Sequence, residues 1–188
     1  MERVFNYDVM DAIKERWSPR AFSDKPVSEK TLMTLLEAAR YAPSCNNEQP
    51  WLYIVGHEPH VREKILSVLN PGNQAWAKAA PVLLLILSRK TFERNDKENY
   101  WHMFDAGTSW GFLSLQAHSM GLITHAMGGY NRELAREVFE IPESIDIIAA
   151  VAVGYYGEKE QLTEDLQNRE KPNTRKGIAE IIYPVKEK

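Results

Sequence analysis

The segment Tyr100–Met120 constrains the possible folds of this chain more than any other part of its sequence. Its pattern predicts the longest helix, ended by Gly121 in the C-terminal capping position. Apolar or small residues occupy much of its circumference: Phe104, Ala106, Gly107, Trp110, Gly111, Phe112, Leu113, Leu115 and Ala117. A helix that is apolar on so many sides must be buried. It could pack on the chain's own sheet or on a second copy of the chain, which Gly107 and Gly111 would let approach closely.

Shorter helices and strands are predicted on both sides of this segment. Asp8 is expected to cap a first helix that runs to Arg16, and Ser28 is expected to cap a second that ends near Tyr41, because Ala42 precedes a proline. The other predicted helices are Val61–Leu69, Asn73–Ala79 and one capped by Asn131, and the strands are Trp51–Val55, Val82–Leu87, Leu122–Met127 and Ile147–Val153. Strands and helices do not alternate strictly, so we expect an α+β fold with a central mixed sheet flanked by helices.

The composition fits one folded domain that spans residues 1–188. Hydrophobic residues make up 44% of the chain and charged residues 26%, and the formal net charge is −3, which gives no general attraction to nucleic acid or anionic membranes. The amino-terminal segment is polar, the longest apolar run is far shorter than a membrane span, and the single cysteine is Cys45. We therefore expect a cytoplasmic protein. The polar tail Tyr155–Lys176 leads to an apolar segment, Ile178–Val185, that could reach a partner subunit.

Several motifs that would identify other functions are absent from the sequence. It has no GxGxxG after a strand, no GxxxxGK(S/T) and no GxSxG, which excludes the common fingerprints of dinucleotide binding, triphosphate binding and serine hydrolases. No histidines form an HExxH motif, and one cysteine cannot build a thiolate cluster, so no metal site is expected. His57 and His60 flank Glu58-Pro59 in what we interpret as a solvated surface turn.

Three polar segments are candidates for a binding site, although each also has an ordinary structural explanation. Arg16–Arg20 contains two arginines and a serine that could bind a phosphate, or it is a solvated basic turn, which the spacing alone favours. The segment Pro43–Trp51 offers amide and hydroxyl groups suited to the edge of a flat heterocycle, or it is a turn rich in turn formers. Met127–Tyr130 contains paired glycines that expose N–H groups to a ligand, or it is a tight turn.

Taken together and in this order, the three segments resemble the nitroreductase family of flavoproteins, and the resemblance extends over nearly the whole chain. The early R-x-S-x-R-x-F pattern is present as Arg16, Ser18, Arg20 and Phe22. The most specific pattern, A-P-S-x-x-N-x-Q-P-W, is present as Ala42, Pro43, Ser44, Asn47, Gln49, Pro50 and Trp51. Further similar elements are Asp105-Ala106-Gly107, Met120-Gly121-Leu122, Ile141-Pro142-Glu143 with Gly154, and Arg175-Lys176-Gly177-Ile178, where glycine replaces the proline of the family.

The resemblance implies an intertwined homodimer with a three-layer fold and two FMN sites at the subunit interface. Arg16 and Arg175, with Lys176, would hold the FMN phosphate, and Trp17, Ser18 and Arg20 would lie along the ribityl chain and the pyrimidine side of the ring. Pro43, Ser44, Cys45, Asn47 and Gln49 would come from the other subunit. Met127, Gly128 and Gly129 would present backbone N–H groups near flavin N5, and Asn73 would contact the flavin. Trp76 occupies a position where related proteins often carry a lysine, so Arg20 is expected to serve alone beside flavin N1.

The implied activity is hydride transfer from NADH or NADPH, through FMN, to nitroaromatics, quinones or similar small acceptors. The flavin carries the chemistry, so no side chain is assigned as catalytic. Cys45 has no basic or histidine neighbour in the sequence and is not expected to be a nucleophile. Three alternatives remain open: another flavin reaction of the superfamily such as reductive dehalogenation, flavin storage or sensing without turnover, and a scaffold that binds no cofactor.

Overall fold

The computed structural model describes residues 3–185 and has an α+β fold, as the sequence predicts. Its strands are β1 (Trp51–Gly56), β2 (Val82–Arg89), β3 (Ile123–Met127) and β4 (Ile145–Gly154). Its α-helices are α1 (Asp11–Glu15), α2 (Glu29–Arg40), α3 (Pro59–Val68), α4 (Pro71–Ala77), α5 (His102–Ser119), α6 (Arg132–Val138), α7 (Glu164–Arg169) and α8 (Ile178–Ile181), with short 3-10 turns at Cys45–Asn47 and Lys159–Gln161. Within the described range, no helix is both long enough and apolar enough to cross a membrane.

The four strands form one sheet in the order β1-β2-β4-β3, and every neighbouring pair is antiparallel. The expectation of a mixed sheet is therefore wrong for the described residues. It rested on strands and helices that do not alternate strictly along the chain, a pattern that leaves the strand directions open. Strand β2 is apolar along nearly its whole length because it is central and helices cover both of its faces.

The core lies in two layers, one on each face of the sheet. On one face, Leu83 and Leu85 of β2 pack with α3, α4 and α6. On the other face, Leu84 and Ile86 pack with α2 and α5. Because successive residues of a strand point to opposite faces, a continuous apolar run can fill both layers. The three-layer arrangement predicted from the resemblance is thus present within a single chain.

Most predicted helix ends agree with the structure. The Ser28 hydroxyl accepts a hydrogen bond from the Thr31 N–H, and the Asn131 side chain accepts one from the Leu134 N–H. Gly121 ends the longest helix with φ of +74°, a conformation that glycine adopts without strain. The prediction that Asp8 caps the first helix is wrong. That helix begins only at Asp11, and the Asp8 carboxylate instead pairs with Lys14 at 2.8 Å.

The long helix α5 is buried on only one side. Ala106, Leu113 and Ala117 are fully buried against α2 and the sheet. On the other side a Cβ atom built on Gly107 or Gly111 would meet no atom within 4 Å, so these glycines do not pack on the chain's own sheet.

Candidate active site

The segment after α1 carries four of the predicted site residues, and a buried carboxylate fixes its backbone. Glu170 lies in the tail after α7, and its side chain is completely buried. Its Oε1 accepts hydrogen bonds from the backbone N–H groups of Arg20 at 2.7 Å and Ala21 at 2.9 Å. Its Oε2 lies 4.0 Å from the Arg20 guanidinium, whose pKa is lowered mainly by burial. The tail and the Arg16–Arg20 segment are therefore joined through this carboxylate.

A polar cavity of about 230 Å³ opens between these two segments. The structure brings Trp17, Ser18 and Arg20 together with Arg175, as the resemblance implies. Basic side chains dominate the cavity, whose other lining residues are Arg3, His125, Arg169, Lys171 and Asn173. Such a surface suits an anionic ligand with several hydrogen-bond acceptors.

A second, larger cavity of about 830 Å³ adjoins the first, and Arg3 and Arg175 line both. Arg16 and Lys176 also face the larger cavity, whose opposite wall is the open side of α5 around Gly111. Among residues 3–185, no carboxylate oxygen lies within 4.0 Å of Arg3, Arg16 or Arg175. Clustered arginines without counter-charges fit a phosphate group, which can neutralise them and accept their forked hydrogen bonds.

His125, on β3, lies at the floor of the smaller cavity. Its Nδ1 donates a hydrogen bond to the Pro19 carbonyl oxygen at 2.9 Å, and its ring lies 4.6 Å from that of Trp76. Burial above all lowers the pKa of His125 to about 4, so the ring is neutral at neutral pH. Trp76 is itself buried and stacks on Phe22, so it belongs to the core. Trp76 therefore supplies no positive charge at the position where related proteins often carry a lysine. Arg169 and Lys171 do line the smaller cavity together with Arg20.

The paired glycines follow directly after β3, beyond His125. A Cβ atom on Gly129 would lie 2.7 Å from Asn73 Nδ2, which donates a hydrogen bond to the Gly129 carbonyl at 2.9 Å. A Cβ atom on Gly128 would meet nothing within 4 Å. Outside the helices and strands of residues 3–185, no backbone carbonyl accepts from the N–H of either glycine. Met127 is buried, and the space beside Gly128 is open.

The Ser44–Gln49 loop lies elsewhere on the chain, at the first turn of α5. The Cys45 N–H donates to the buried Asp105 carboxylate at 3.1 Å, and the Gln49 N–H donates to the Ser44 hydroxyl at 2.9 Å. Asn46, Asn47 and Gln49 all have positive φ, near +55°, and Pro43 is exposed. A loop that holds several non-glycine residues in this conformation stores strain, which is common at binding sites.

This loop does not line either basic cavity. Asp105 holds the loop at the start of α5. Ser114 of the same helix faces the larger cavity, and at a rise of 1.5 Å per residue it lies about 13 Å further along the helix axis. One chain therefore presents two separate groups of predicted site residues. The Arg16 and Arg175 group is on one side, and the Ser44 loop is near the other end of α5.

Sequence reasoning missed several residues that shape the cavities. Glu170 acts on backbone N–H groups, and Arg3 acts on backbone carbonyls, so no side-chain motif marks them. Asn173 and Lys171 lie in the irregular tail, where only the fold reveals their neighbours. In the described part of the chain, no group of three or more His, Cys, Asp or Glu side chains is placed to hold a metal ion.

Comparison with known proteins identifies the family of this chain. The model of the nitroreductase family matches residues 13–70 and 67–155. A Methanothermobacter thermautotrophicus protein, named provisionally as an NADH dehydrogenase/NAD(P)H nitroreductase, is 32% identical over 160 residues, which cover 83% of this chain and 81% of the relative. An iodotyrosine deiodinase of Haliscomenobacter hydrossis is 26% identical over 88% of this chain and 85% of its own length.

A solved structure described as an oxidoreductase containing FMN is similar over almost the whole chain. Its TM-score is 0.91 at 37% sequence identity, and the match covers 96% of this chain and 93% of that one. The fold, the arginine and glycine segments and these matches agree, and the chain belongs to the nitroreductase family.

Proposed function

We propose that this chain is an FMN-dependent oxidoreductase that takes electrons from NADH or NADPH and reduces small, flat acceptors such as nitroaromatics and quinones. The observation that carries the proposal is the meeting of Arg16 and Arg175 at one cavity without a carboxylate counter-charge among the described residues. From there, Ser18, Arg20 and His125 lead towards the open Gly128 turn. When bound, FMN supplies the hydride chemistry, and the chain supplies its orientation and electrostatics.

The residues around the two cavities support a defined orientation of the cofactor. Arg16, Arg175 and Lys176 would hold its phosphate by charge-assisted hydrogen bonds. Arg20, whose backbone Glu170 fixes, would place a positive charge beside the pyrimidine edge. The N–H groups of the Gly128-Gly129 turn would lie near N5, where they could donate to the ring. Asn73 supports that turn through its hydrogen bond to Gly129.

A homodimer would complete this site. The open side of α5 exposes Phe104 and Phe112, and the apolar residues Ile181 and Tyr183 of the C-terminal segment are also exposed. Apolar area of this extent is rarely left uncovered on a monomer. Pairing two chains through this surface would cover it and could bring the Ser44 loop of one chain, with Cys45 and Asn47, to the arginines of the other. Sedimentation should therefore give dimer mass for the flavin-loaded protein, and a flavin-loaded monomer would refute this arrangement.

Two-substrate kinetics test the activity itself. The sequence contains no dinucleotide-binding motif, so the nicotinamide donor would use the same space as the acceptor, and the two would bind in succession. Initial rates of NAD(P)H oxidation at several fixed concentrations of a quinone or nitroaromatic should give parallel double-reciprocal lines. Intersecting lines would require a ternary complex and defeat the shared site. Flavin that copurifies without any turnover would instead favour a storage or sensor role.

The deiodinase relative supports one alternative substrate class for the same cofactor site. An aromatic halide would then take the place of the nitroaromatic or quinone. Release of iodide from an iodinated tyrosine, measured alongside quinone reduction under the same conditions, separates the two possibilities. Iodide release faster than quinone reduction would make dehalogenation the better description.

A further inference from the structure

Arg136 shows how this chain uses an arginine for a purely structural purpose. Its guanidinium donates hydrogen bonds of 2.6–3.1 Å to three backbone carbonyls in the turn before β4, those of Ile141, Pro142 and Ile145. The Glu143 carboxylate lies 3.4 Å from its Nε. The positive charge is therefore compensated by a neighbour, and nothing else is needed to explain this residue.

Arg3 makes the same kind of contacts in a different electrostatic environment. Its Nη1 donates to the carbonyls of Lys14 at 3.0 Å and Arg16 at 2.8 Å, and its Nε donates to the carbonyl of Asn173 at 3.3 Å. These contacts join the two segments that carry Arg16 and Arg175. Within residues 3–185, no carboxylate oxygen lies within 4.0 Å of Arg3, and its Nη2 makes no hydrogen bond.

The neighbours of Arg3 have the same charge as Arg3 itself. The pKa of Arg3 is lowered by burial and then by the charge of Arg175, and the pKa of Arg16 is lowered by burial and then by the charges of Arg3 and Arg175. Placing three guanidinium groups together without a counter-ion raises the free energy of the folded chain. A doubly charged phosphate at the point where the two cavities meet would reverse that cost.

We propose that Arg3 completes the phosphate site by holding the Arg16 and Asn173–Arg175 segments in position and by adding a third guanidinium group. The proposal rests on the proposed binding of FMN. It assigns Arg3 a role that the sequence does not indicate, because Arg3 lies outside the family's arginine motif. The consequence is specific: Arg3 distinguishes FMN from riboflavin, which has the same ring and ribityl chain but no phosphate.

The test compares FMN and riboflavin binding to apoprotein by quenching of flavin fluorescence. Arg3→Ala should raise the Kd for FMN by about tenfold or more, the size expected when a hydrogen bond to a charged group is lost, while the Kd for riboflavin changes less than about threefold. Arg3→Lys should give a Kd for FMN between those of the wild type and Arg3→Ala. Lysine keeps the positive charge but lacks the forked hydrogen-bond donors of the guanidinium group. Arg175→Ala is the positive control. Arg136→Ala is the matched control, and it should preserve the ratio of the two affinities.

Several results would overturn the role of Arg3. Arg3 only supports the fold if Arg3→Ala weakens the binding of FMN and of riboflavin equally. The same conclusion follows if it changes the ratio of the two Kd values no more than Arg136→Ala does. If Arg3→Ala does not fold, Arg3→Lys decides: an FMN to riboflavin ratio equal to that of the wild type refutes the proposal. Wild-type protein that binds neither flavin would refute the proposed function itself, which is a distinguishable result.

Discussion

The two sides of α5 differ in how completely one chain covers them. Towards the sheet, Leu113 and Ala117 are fully buried between α2 and β2. Towards the larger cavity, Gly111 has open space and Phe112 is 41% exposed. The covered side needs nothing beyond this chain, whereas the open side adjoins an exposed apolar tail and arginines that no carboxylate of residues 3–185 pairs with. The core is therefore built by one chain, and the open side supports the proposal that a ligand and a second chain cover it.

Adjacent residues on α5 test this difference with the largest expected effect. Leu113→Ala should lower the free energy of unfolding by about 2–5 kcal/mol, because it leaves a cavity in a fully buried layer. Phe112→Ala should have a much smaller effect on folding but should shift sedimentation towards monomer mass and reduce flavin retention. Urea unfolding at fixed protein concentration and sedimentation measure the two effects. A fully dimeric Phe112→Ala protein that keeps its flavin would show that the interface lies elsewhere.

The sequence predicts the covered side of this comparison much better than the open side. The caps at Ser28 and Asn131 bond to N–H groups three residues further along the chain, and β2 is apolar because it is buried. The types of the residues alone are therefore enough to predict these features. The strand directions were predicted wrongly because the order of helices and strands along the chain does not fix how the strands pair.

In the candidate site, sequence reasoning found the residues that belong to motifs and missed those that act on backbone groups. Arg16, Ser18, Arg20 and Arg175 were identified by resemblance, and the structure brings them to adjoining cavities. The buried carboxylate of Glu170 contacts two backbone N–H groups about 150 residues away in the sequence. Contacts to backbone leave no pattern of side chains, so only the fold could reveal them.

His125, which lines the smaller cavity, provides a test of intermediate size. Burial lowers its pKa to about 4, against about 6.5 in the unfolded chain, so between these pH values the unfolded chain binds a proton that the folded chain excludes. Stability is therefore fully present above about pH 6.5 and is lost as the pH falls towards 4, by about 2–3 kcal/mol. Urea unfolding of the apoprotein across this range measures the loss.

Two variants show whether this pH dependence belongs to His125. His125→Gln should flatten the fall in stability, because the group that takes up the proton is gone. His60→Gln, at an exposed histidine, should leave the curve as in the wild type. An identical slope in the wild type and in His125→Gln would mean that other groups cause the dependence.

The two glycines after β3 give the smallest and most selective test, because they are adjacent and differ in their surroundings. Neither needs the left-handed backbone conformation. A Cβ atom on Gly129 would press on the Asn73 amide, which is held by its hydrogen bond, so Gly129→Ala should lower stability by about 1–2 kcal/mol. A Cβ atom on Gly128 meets only open space, so Gly128→Ala should change stability by less than about 0.5 kcal/mol. If the flavin lies in that space, Gly128→Ala should nevertheless weaken FMN binding and slow NAD(P)H oxidation. Unchanged FMN affinity and turnover in Gly128→Ala would place the flavin away from this turn, even if Gly129→Ala loses stability as expected.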